Sequence, residues 1–316
     1  MNCLIHWPRR TLPLLLLLVA IADAIPAQAA YNYTSIDYPG ATFTQVFGIN
    51  NSGKLVGEAM IGATTITFEY DSKKRTFAVL PNVPGAPITG ALGINDAGVI
   101  TGSAGDGATD DRGFILDKGA FTFFANPGWA FTQGRAISNT GGLVSGYSFD
   151  GNATYIAFIY DVKRNTFTNL LPSSFTIAQG INGRGDVVGN VTLDANVAYP
   201  GAPADSYGFL RQRNGAILFF GVTGGQGVRG RGINGSGLIM GFFTDSNGTQ
   251  KGFVARLGSG PAFQSLTVPD RDLLEVPGAA ATRAEAIDDT GDVAGIWDDA
   301  AGNQHGFLAT RLPGPK

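Results

Sequence analysis

The sequence predicts an all-β fold, a β-propeller of six four-stranded blades in which the N-terminal strand completes the last blade. Three observations support this prediction: a glycine-containing signature occurs six times, a phenylalanine motif recurs once per repeat, and the two chain ends carry complementary strands. The composition agrees, because 46 glycines and only 15% charged residues suit strands and turns. Glycine in a helix interior costs about 1 kcal/mol.

The signature reads Ile-(Asn/Ser/Asp)-x-x-Gly-x-(Val/Ile/Leu)-x-Gly, and the third copy is one residue longer. The copies end at the closing glycines Gly57, Gly102, Gly146, Gly189, Gly241 and Gly295. Spacings of 43 to 54 residues between them are typical of repeats that form one supersecondary unit each. Such units bury their apolar faces against their neighbours.

Each repeat is predicted to contain four strands. The first leads into a turn such as 50–53, where asparagine caps the backbone and glycine takes the left-handed conformation. An aliphatic second strand follows, and the fourth strand is rich in aromatic residues. The third strand carries one phenylalanine at a fixed place, which predicts a layer of the core. These phenylalanines are Phe68, Phe114, Phe158, Phe209, Phe253 and Phe307.

The chain ends favour a closed ring. Tyr33 to Tyr38 resembles a fourth strand with nothing before it, and the chain stops after the third strand 306–309. Pairing these two strands would remove an exposed sheet edge. An open β-solenoid is the alternative, and it would not need complementary ends. Residues 258–276 leave the number of blades between six and seven, because 262–266 and 274–276 both resemble a fourth strand.

Residues 1–29 are predicted to be a signal peptide. Arg9 and Arg10 precede the apolar run 14–22, and 27–29 supply small residues at the cleavage positions. The apolar run is shorter than the roughly 20 residues of a spanning helix. We therefore expect a secreted protein, extracellular or periplasmic, with no membrane span after cleavage. Residues 30–316 are predicted to form a single repeat-built domain.

The composition of the mature chain excludes several classes of site. It has no cysteine and one histidine, His305, so thiol catalysis and cysteine-type zinc sites are excluded. Without Arg9, Arg10 and Asp23 it carries 20 basic and 24 acidic residues and no basic block, which excludes a nucleic-acid partner. No cofactor is predicted. Calcium stays open as an alternative, although neither the EF-hand pattern nor the nonapeptide calcium repeat is present.

These motifs resemble the HAF-repeat family of extracellular proteins, which takes its name from a His-Ala-Phe tripeptide. The features that carry the resemblance are Pro-Gly-Ala at 39–41, 84–86 and 277–279, and Gly-Ile-Asn at 48–50, 93–95, 180–182 and 232–234. His305-Gly306-Phe307 stands at the naming tripeptide, although only this copy keeps the histidine. The resemblance covers the mature chain. It implies a secreted bacterial protein of unassigned biochemical role.

Candidate binding residues lie in the variable loops between second and third strands, on the face that the blade-to-blade connections share. Converging aspartates could bind calcium or act on a sugar, but aspartate is also a common turn residue. Tryptophan next to this face could stack on a sugar, with burial between blades as the alternative. The candidates are Trp129, Trp297, Asp106, Asp110, Asp111, Asp150, Asp194, Asp245, Asp298 and Asp299.

Two functions follow from these observations. The first is a non-catalytic, monomeric binding module for an extracellular glycan, surface polymer or protein. The second is a carboxylate-based enzyme acting on polysaccharide, with its pair of carboxylates drawn from the aspartates above. An enzyme would need two carboxylates that converge near the ring axis.

Overall fold

The chain is a closed six-bladed β-propeller. The computed structural model describes residues 30–83, 85–86, 88–105, 111–171, 175–192, 206–260, 263–267 and 271–313. Within these ranges it contains 25 β-strands and no helix, and therefore no helix long and apolar enough to cross a membrane. The predicted signal peptide lies outside the described residues.

The first three blades each take four consecutive strands. Blade 1 contains β2 (Phe43–Ile49), β3 (Lys54–Ile61), β4 (Thr64–Asp71) and β5 (Thr76–Val79). Blade 2 contains β6 (Ile88–Ile94), β7 (Ile100–Gly105), β8 (Arg112–Asp117) and β9 (Ala120–Phe124). Blade 3 contains β10 (Phe131–Ile137), β11 (Leu143–Phe149), β12 (Tyr155–Asp161) and β13 (Thr166–Leu170).

The other three blades include two departures from consecutive order. Blade 4 contains β14 (Phe175–Ile181), β15 (Val187–Thr192), β16 (Ser206–Arg211) and β17 (Ile217–Val222). Blade 5 contains β18 (Gly225–Ile233), β19 (Ile239–Asp245), β20 (Gln250–Ala255) and β22 (Arg271–Leu274). Blade 6 contains β23 (Ala281–Ile287), β24 (Val293–Asp298), β25 (Gln304–Arg311) and β1 (Tyr31–Ile36).

The uncertain segment 258–276 supplies a strand to each of two blades. Arg271–Leu274 is the fourth strand of blade 5. The preceding strand β21 (Phe263–Leu266) instead runs parallel to β17 at the outer edge of blade 4. No seventh blade forms from the described residues. The pattern at 262–266 corresponds to β21, whereas the strand predicted at 274–276 instead spans Arg271–Leu274.

The predicted closure of the ring by the N-terminal strand is confirmed. β1 pairs antiparallel with β25 from Tyr31↔Arg311 to Ile36↔Gly306, and Ile36 is buried. The predicted phenylalanine core layer is also confirmed, because all six third-strand phenylalanines are at most 1% exposed. The core is thus a ring of equivalent apolar layers between neighbouring blades.

The signature asparagine ties neighbouring blades together. The Oδ1 of Asn95 accepts hydrogen bonds from the backbone N–H groups of Ala97 and Val99, which caps the turn. Its Nδ2 donates to the carbonyl of Ser138 in the next blade, 3.3 Å away. Asn50, Asn182 and Asn234 make the same cross-blade bond at 2.9, 3.2 and 3.0 Å. All four asparagines are buried, so the bonds are shielded from water.

We name the two faces of the ring by what they carry. The turn face carries the six signature turns. The loop face carries the loops between second and third strands, together with the connections from blade to blade.

Candidate functional site

Each innermost strand contains a β-bulge at the same position, and the extra residue of that bulge lines the channel along the ring axis. The innermost strand of blade 5 has a second irregularity between Gln226 and Arg229. In blade 3, Gly134 pairs with Gly146 and Ala136 pairs with Ser145, so Arg135 has no partner across the strands. The same shift occurs in every blade. We call the six extra residues the bulge residues: Phe47, Leu92, Arg135, Gln179, Arg231 and Glu285.

The closing glycine of each signature makes the bulge possible. A Cβ atom on Gly189 would lie 2.0 Å from the carbonyl oxygen of Ile177, well inside van der Waals contact. The other five closing glycines have the same contact at 1.8 to 2.1 Å. Only glycine therefore lets the second strand approach the bulged first strand, and bulges of this kind redirect a side chain.

The central channel forms a cavity of about 270 Å³ between the bulge residues and the signature turns. The positions that build the scaffold repeat the same residue type around the ring, whereas the six bulge residues differ in size and charge. They include one aromatic, one aliphatic, one amide and three charged side chains. The scaffold does not require this variety. The channel is therefore the part of the propeller where side chains can vary to suit a ligand.

A buried carboxylate in the channel holds two guanidinium groups. The side chain of Glu285 is 2% exposed; its Oε1 lies 3.1 Å from Nη2 of Arg231 and its Oε2 lies 3.8 Å from Nη2 of Arg135. Nε of Arg135 donates to Oε1 of Gln179 at 2.8 Å. Nε of Arg231 is buried without a hydrogen-bond partner among the described residues.

Positive charge is concentrated at this point. Burial, followed by the neighbouring charge of Arg231, lowers the pKa of Arg135 to about 10 despite the opposing effect of Glu285. Burial and Arg231 also lower the pKa of Arg229, which lies two residues before Arg231 on the same strand. Both Arg229 and Arg231 lie over the ring of Phe242, at 5.8 and 5.2 Å from its centre.

Two further charged side chains belong to the same environment. Burial raises the pKa of Glu58, and the positive charge of Arg135 opposes this shift. Arg283 is fully engaged, since it donates to both carboxylate oxygens of Asp298 at 2.9 and 2.6 Å and to Gln250 at 3.1 Å. The predicted binding residue Asp298 is therefore held in a bidentate ion pair beside the channel.

Five partly exposed aromatic rings contact one another between blades 3 and 4, at the loop face. Phe131 stacks on Tyr147 at 5.5 Å, Phe149 stacks on Tyr155 at 4.5 Å, and Tyr155 contacts Phe175 of blade 4 at 5.0 Å. Tyr147 also contacts Tyr155 at 5.7 Å, so the rings are continuous. We call Phe131, Tyr147, Phe149, Tyr155 and Phe175 the aromatic cleft.

The aromatic cleft adjoins the channel. Tyr147 lies across the strand pair from Gln133, whose Oε1 is 3.4 Å from Nη1 of Arg135. Burial raises the pKa of Tyr147, while the positive charge of Arg135 opposes the shift. The predicted binding residue Asp111 lies against the start of β10, where its carbonyl accepts a hydrogen bond from Thr132, and its charge also raises the pKa of Tyr147.

The other described aspartates cap their own loops in three different blades. Oδ1 of Asp150 accepts hydrogen bonds from the N–H groups of Asn152, Ala153 and Thr154. Oδ1 of Asp245 and Oδ1 of Asp299 accept equivalent bonds within their loops. These backbone bonds lower the pKa of Asp150 and Asp245, and the bonds from Asn303 lower the pKa of Asp299 to about 2.

Asp150, Asp245 and Asp299 therefore lie apart and behave as turn residues, whereas Asp298 is held in its ion pair with Arg283. Asp106, Asp110 and Asp194 lie outside the described residues. Within the described ranges no three His, Cys, Asp or Glu side chains stand close enough together to hold a metal ion.

The two predicted tryptophans lie in different settings. Trp129 is partly buried in the connection that leads into β10. Trp297 stacks on His305 at 4.4 Å, and its Nε1 donates to Ser35 of the closing strand at 3.3 Å. His305 Nδ1 lies 2.6 Å from Asp37, and its Nε2 lies 3.5 Å from Asp299. This group joins the end of β1 to the rest of blade 6.

The sequence-based prediction did not include the bulge residues or the aromatic cleft, because it rested on loop aspartates and on tryptophans. A signal was present in the repeats: the position three residues before the signature Asn, Ser or Asp carries five residue types in six copies. The aromatic cleft was also visible, since blade 3 has aromatic residues where the other blades have mixed side chains.

Comparisons with known proteins show the fold alone. No protein-family model matches the chain, and no curated protein matches its sequence. An oligogalacturonate lyase solved in complex with manganese has a TM-score of 0.50 at 8% identity, covering 92% of this chain and 98% of that one. The β-propeller domain of a trilobed protease from Pyrococcus furiosus has a TM-score of 0.47 at 10% identity, covering 86% and 98%.

TolB from Acinetobacter baumannii is similar over 84% of this chain, with a TM-score of 0.45 and 11% identity. The chain spans about half of the length of that protein, 53%. The similar structures have varied functions, so they support the β-propeller fold and no specific activity.

Proposed function

We propose that the protein is a non-catalytic binding module that, after export, binds an extracellular glycan in the central channel and the aromatic cleft. The observation that supports this proposal most strongly is the continuous surface of five partly exposed rings. This surface leads from the loop face to the polar bulge residues. Aromatic faces are apolar platforms with polar edges, which suits stacking against sugar rings. The resemblance to the HAF-repeat family is part of this proposal and is supported by the six signature copies.

A glycan fits these observations better than a protein partner. The aromatic cleft consists of five side chains next to a channel of about 270 Å³, whereas protein interfaces are broad patches of about 800 Å² per partner. Among the described exposed large apolar side chains, Ile61, Val79 and Phe123 lie in blades 1 and 2, and Leu312 follows the last strand of blade 6. They do not extend the cleft into a larger apolar surface.

The test is a glycan array probed with the mature chain from Ala30 and with three alanine variants. We expect Tyr155→Ala to abolish glycan signals, because Tyr155 contacts three of the other cleft rings. Trp129→Ala and Trp297→Ala separate this site from the loop positions indicated by the sequence. Loss of signal in a tryptophan variant but not in Tyr155→Ala would contradict the proposed site. Binding to no glycan would contradict the proposal and point to a protein partner.

A carboxylate-based enzyme acting on polysaccharide is the second candidate, favoured by one observation. Glu58 and Glu285 both face Arg135, and burial raises the pKa of Glu58, as a general acid requires. Against this, Glu285 is 2% exposed and covered by two guanidinium groups, so it is poorly placed to reach a sugar. Release of reducing ends from an oligosaccharide, lost in Glu58→Gln, would establish the enzyme in place of the binding module.

A further inference from the structure

The carboxylates Asp96, Asp288 and Asp289 of the channel lining belong to the signature turns, whereas guanidinium groups cluster around the bulge residues. Three guanidinium groups, those of Arg135, Arg229 and Arg231, act on one another through space. The carboxylates that act on them are Glu285 and Glu58. With both carboxylates ionised, one positive charge stays uncompensated, and burial of Glu58 disfavours its ionised form.

Three neighbouring charged groups do not neutralise this cluster. Arg283 and Asp298 neutralise each other in their bidentate pair. Asp111 acts on Tyr147 at the cleft side, where it raises the pKa of that phenol. A partly buried positive charge without a partner is costly, so an incoming anion would be favoured.

The donors are also placed for a ligand. Arg229 is exposed, and its aromatic contact with Phe242 holds the guanidinium over the ring. Arg231 is 14% exposed in its side chain, and its Nε has no hydrogen-bond partner among the described residues. The planar guanidinium forks of these two residues match the two oxygens of a carboxylate.

We infer that the glycan bound at this site carries a carboxylate, as in a uronic acid, and that Arg229 and Arg231 bind it. This inference rests on the proposed function, because the aromatic cleft supplies the stacking surface for the sugar ring. The single positive charge left among Arg135, Arg229, Arg231, Glu58 and Glu285 fits a monovalent carboxylate better than a divalent phosphate. Glu285 keeps its two neighbouring guanidinium groups in position, so Arg231 stays oriented when the ligand leaves.

The experiment compares a uronate tetrasaccharide with its methyl ester by calorimetry on the mature chain. We expect the free acid to bind roughly tenfold or more tightly than the ester, since hydrogen bonds to charged groups are the strong ones. Arg229→Gln and Arg231→Lys should reduce the affinity for the acid to nearly that of the ester. Their effect on binding of the ester should be smaller than their effect on the acid, and melting temperatures close to that of the wild type show that the variants are folded.

Controls separate the inference from the proposed function. Arg164→Gln removes an exposed arginine of blade 3 and should change neither affinity. Tyr155→Ala should weaken both ligands, because it removes the stacking surface. Equal affinity for acid and ester would overturn the inference while leaving the glycan-binding proposal intact. Displacement of the acid by inorganic phosphate or sulfate at similar concentration would mean a general anion site and would also overturn it. Binding of neither ligand would contradict both.

Discussion

The closing glycine and the bulge residue of each repeat act together to place a side chain in the channel. Glycine allows a carbonyl to approach where a Cβ atom would clash, and the strand then places one extra side chain in the channel. The sequence made the glycine visible as a repeated residue, yet it did not reveal the bulge. A register shift depends on pairing between strands, and pairing is a property of the folded sheet.

Replacing a closing glycine should be severe. We predict that Gly189→Ala destabilises the protein by at least about 3 kcal/mol, because its Cβ would lie 2.0 Å from the Ile177 carbonyl oxygen. Urea unfolding measures the effect. The matched control is Gly183→Ala in the same blade, where a Cβ would meet no atom within 4 Å. Similar unfolding midpoints for the two variants would show that the bulge does not depend on glycine.

The signature asparagine has two separable roles, one within its own blade and one between neighbouring blades. Its Oδ1 caps a turn and its Nδ2 bonds to the next blade, so its identity matters more than turn preference alone explains. The sequence indicated the cap correctly. It could not indicate the cross-blade bond, because the acceptor lies 43 to 54 residues away.

Asn234→Asp isolates the cross-blade bond, since aspartate keeps the cap and loses the donor. We predict a loss of about 1–3 kcal/mol in the free energy of unfolding. Asp288→Asn is the reciprocal change, because blade 6 has an aspartate at this position and burial raises the pKa of its carboxyl. It should supply the missing donor toward blade 1 and stabilise the ring by about 1 kcal/mol. In urea unfolding, Asn234→Asp should lower the free energy of unfolding and Asp288→Asn should raise it. A change of the same sign in both variants would refute the role of the bond.

At the scale of the element, the pair of His305 and Asp37 holds the end of the closing strand β1 in blade 6, and this pair titrates. Burial lowers the pKa of His305, but the hydrogen bond and charge of Asp37, reinforced by Asp299, outweigh it and leave the pKa raised. The folded state thus binds this proton more tightly than the unfolded chain. The stabilisation is complete below about pH 6.5 and is lost as the pH rises through the raised pKa.

We therefore predict that the melting temperature of Asp37→Asn falls below that of the wild type by more at about pH 6 than at about pH 9. The control is Asp161→Asn, which removes an exposed pair with Arg164 and involves no histidine. Its difference from the wild type should be the same at both pH values. A pH-independent difference for Asp37→Asn would show that His305 does not fasten the strand.

The whole molecule is a ring whose fold is determined by the residues that repeat in every blade. The chemistry of its site is determined by residues that differ from blade to blade. Blade number, closure and the phenylalanine layer followed from the repeats, because periodicity reports on equivalent environments. The site did not follow, since Glu58, Arg135 and Arg231 act on one another only when blades 1, 3 and 5 are arranged in a ring. The loop aspartates were ambiguous in the sequence because aspartate serves both turns and ligands.

Closure of the ring should govern the stability of the whole molecule. Removing residues 30–36 would expose the edge of β25 along its six paired positions. We predict a lower unfolding midpoint and concentration-dependent association in sizing chromatography, because a free edge pairs with other chains. A chain shortened by residues 313–316, beyond the end of β25, should behave as the wild type. Unchanged behaviour without residues 30–36 would mean that β1 is dispensable.

The central claim is that ligand binds in the channel and aromatic cleft, and hydroxyl-radical footprinting of the mature chain with a saturating uronate oligosaccharide tests it most directly. Each exposed ring reports on its own protection. The account predicts protection of Tyr147, Phe149 and Tyr155, with Trp297 and Phe123 unchanged. Protection confined to Trp297 and the loops of blade 6, or no protection at any ring, would contradict it.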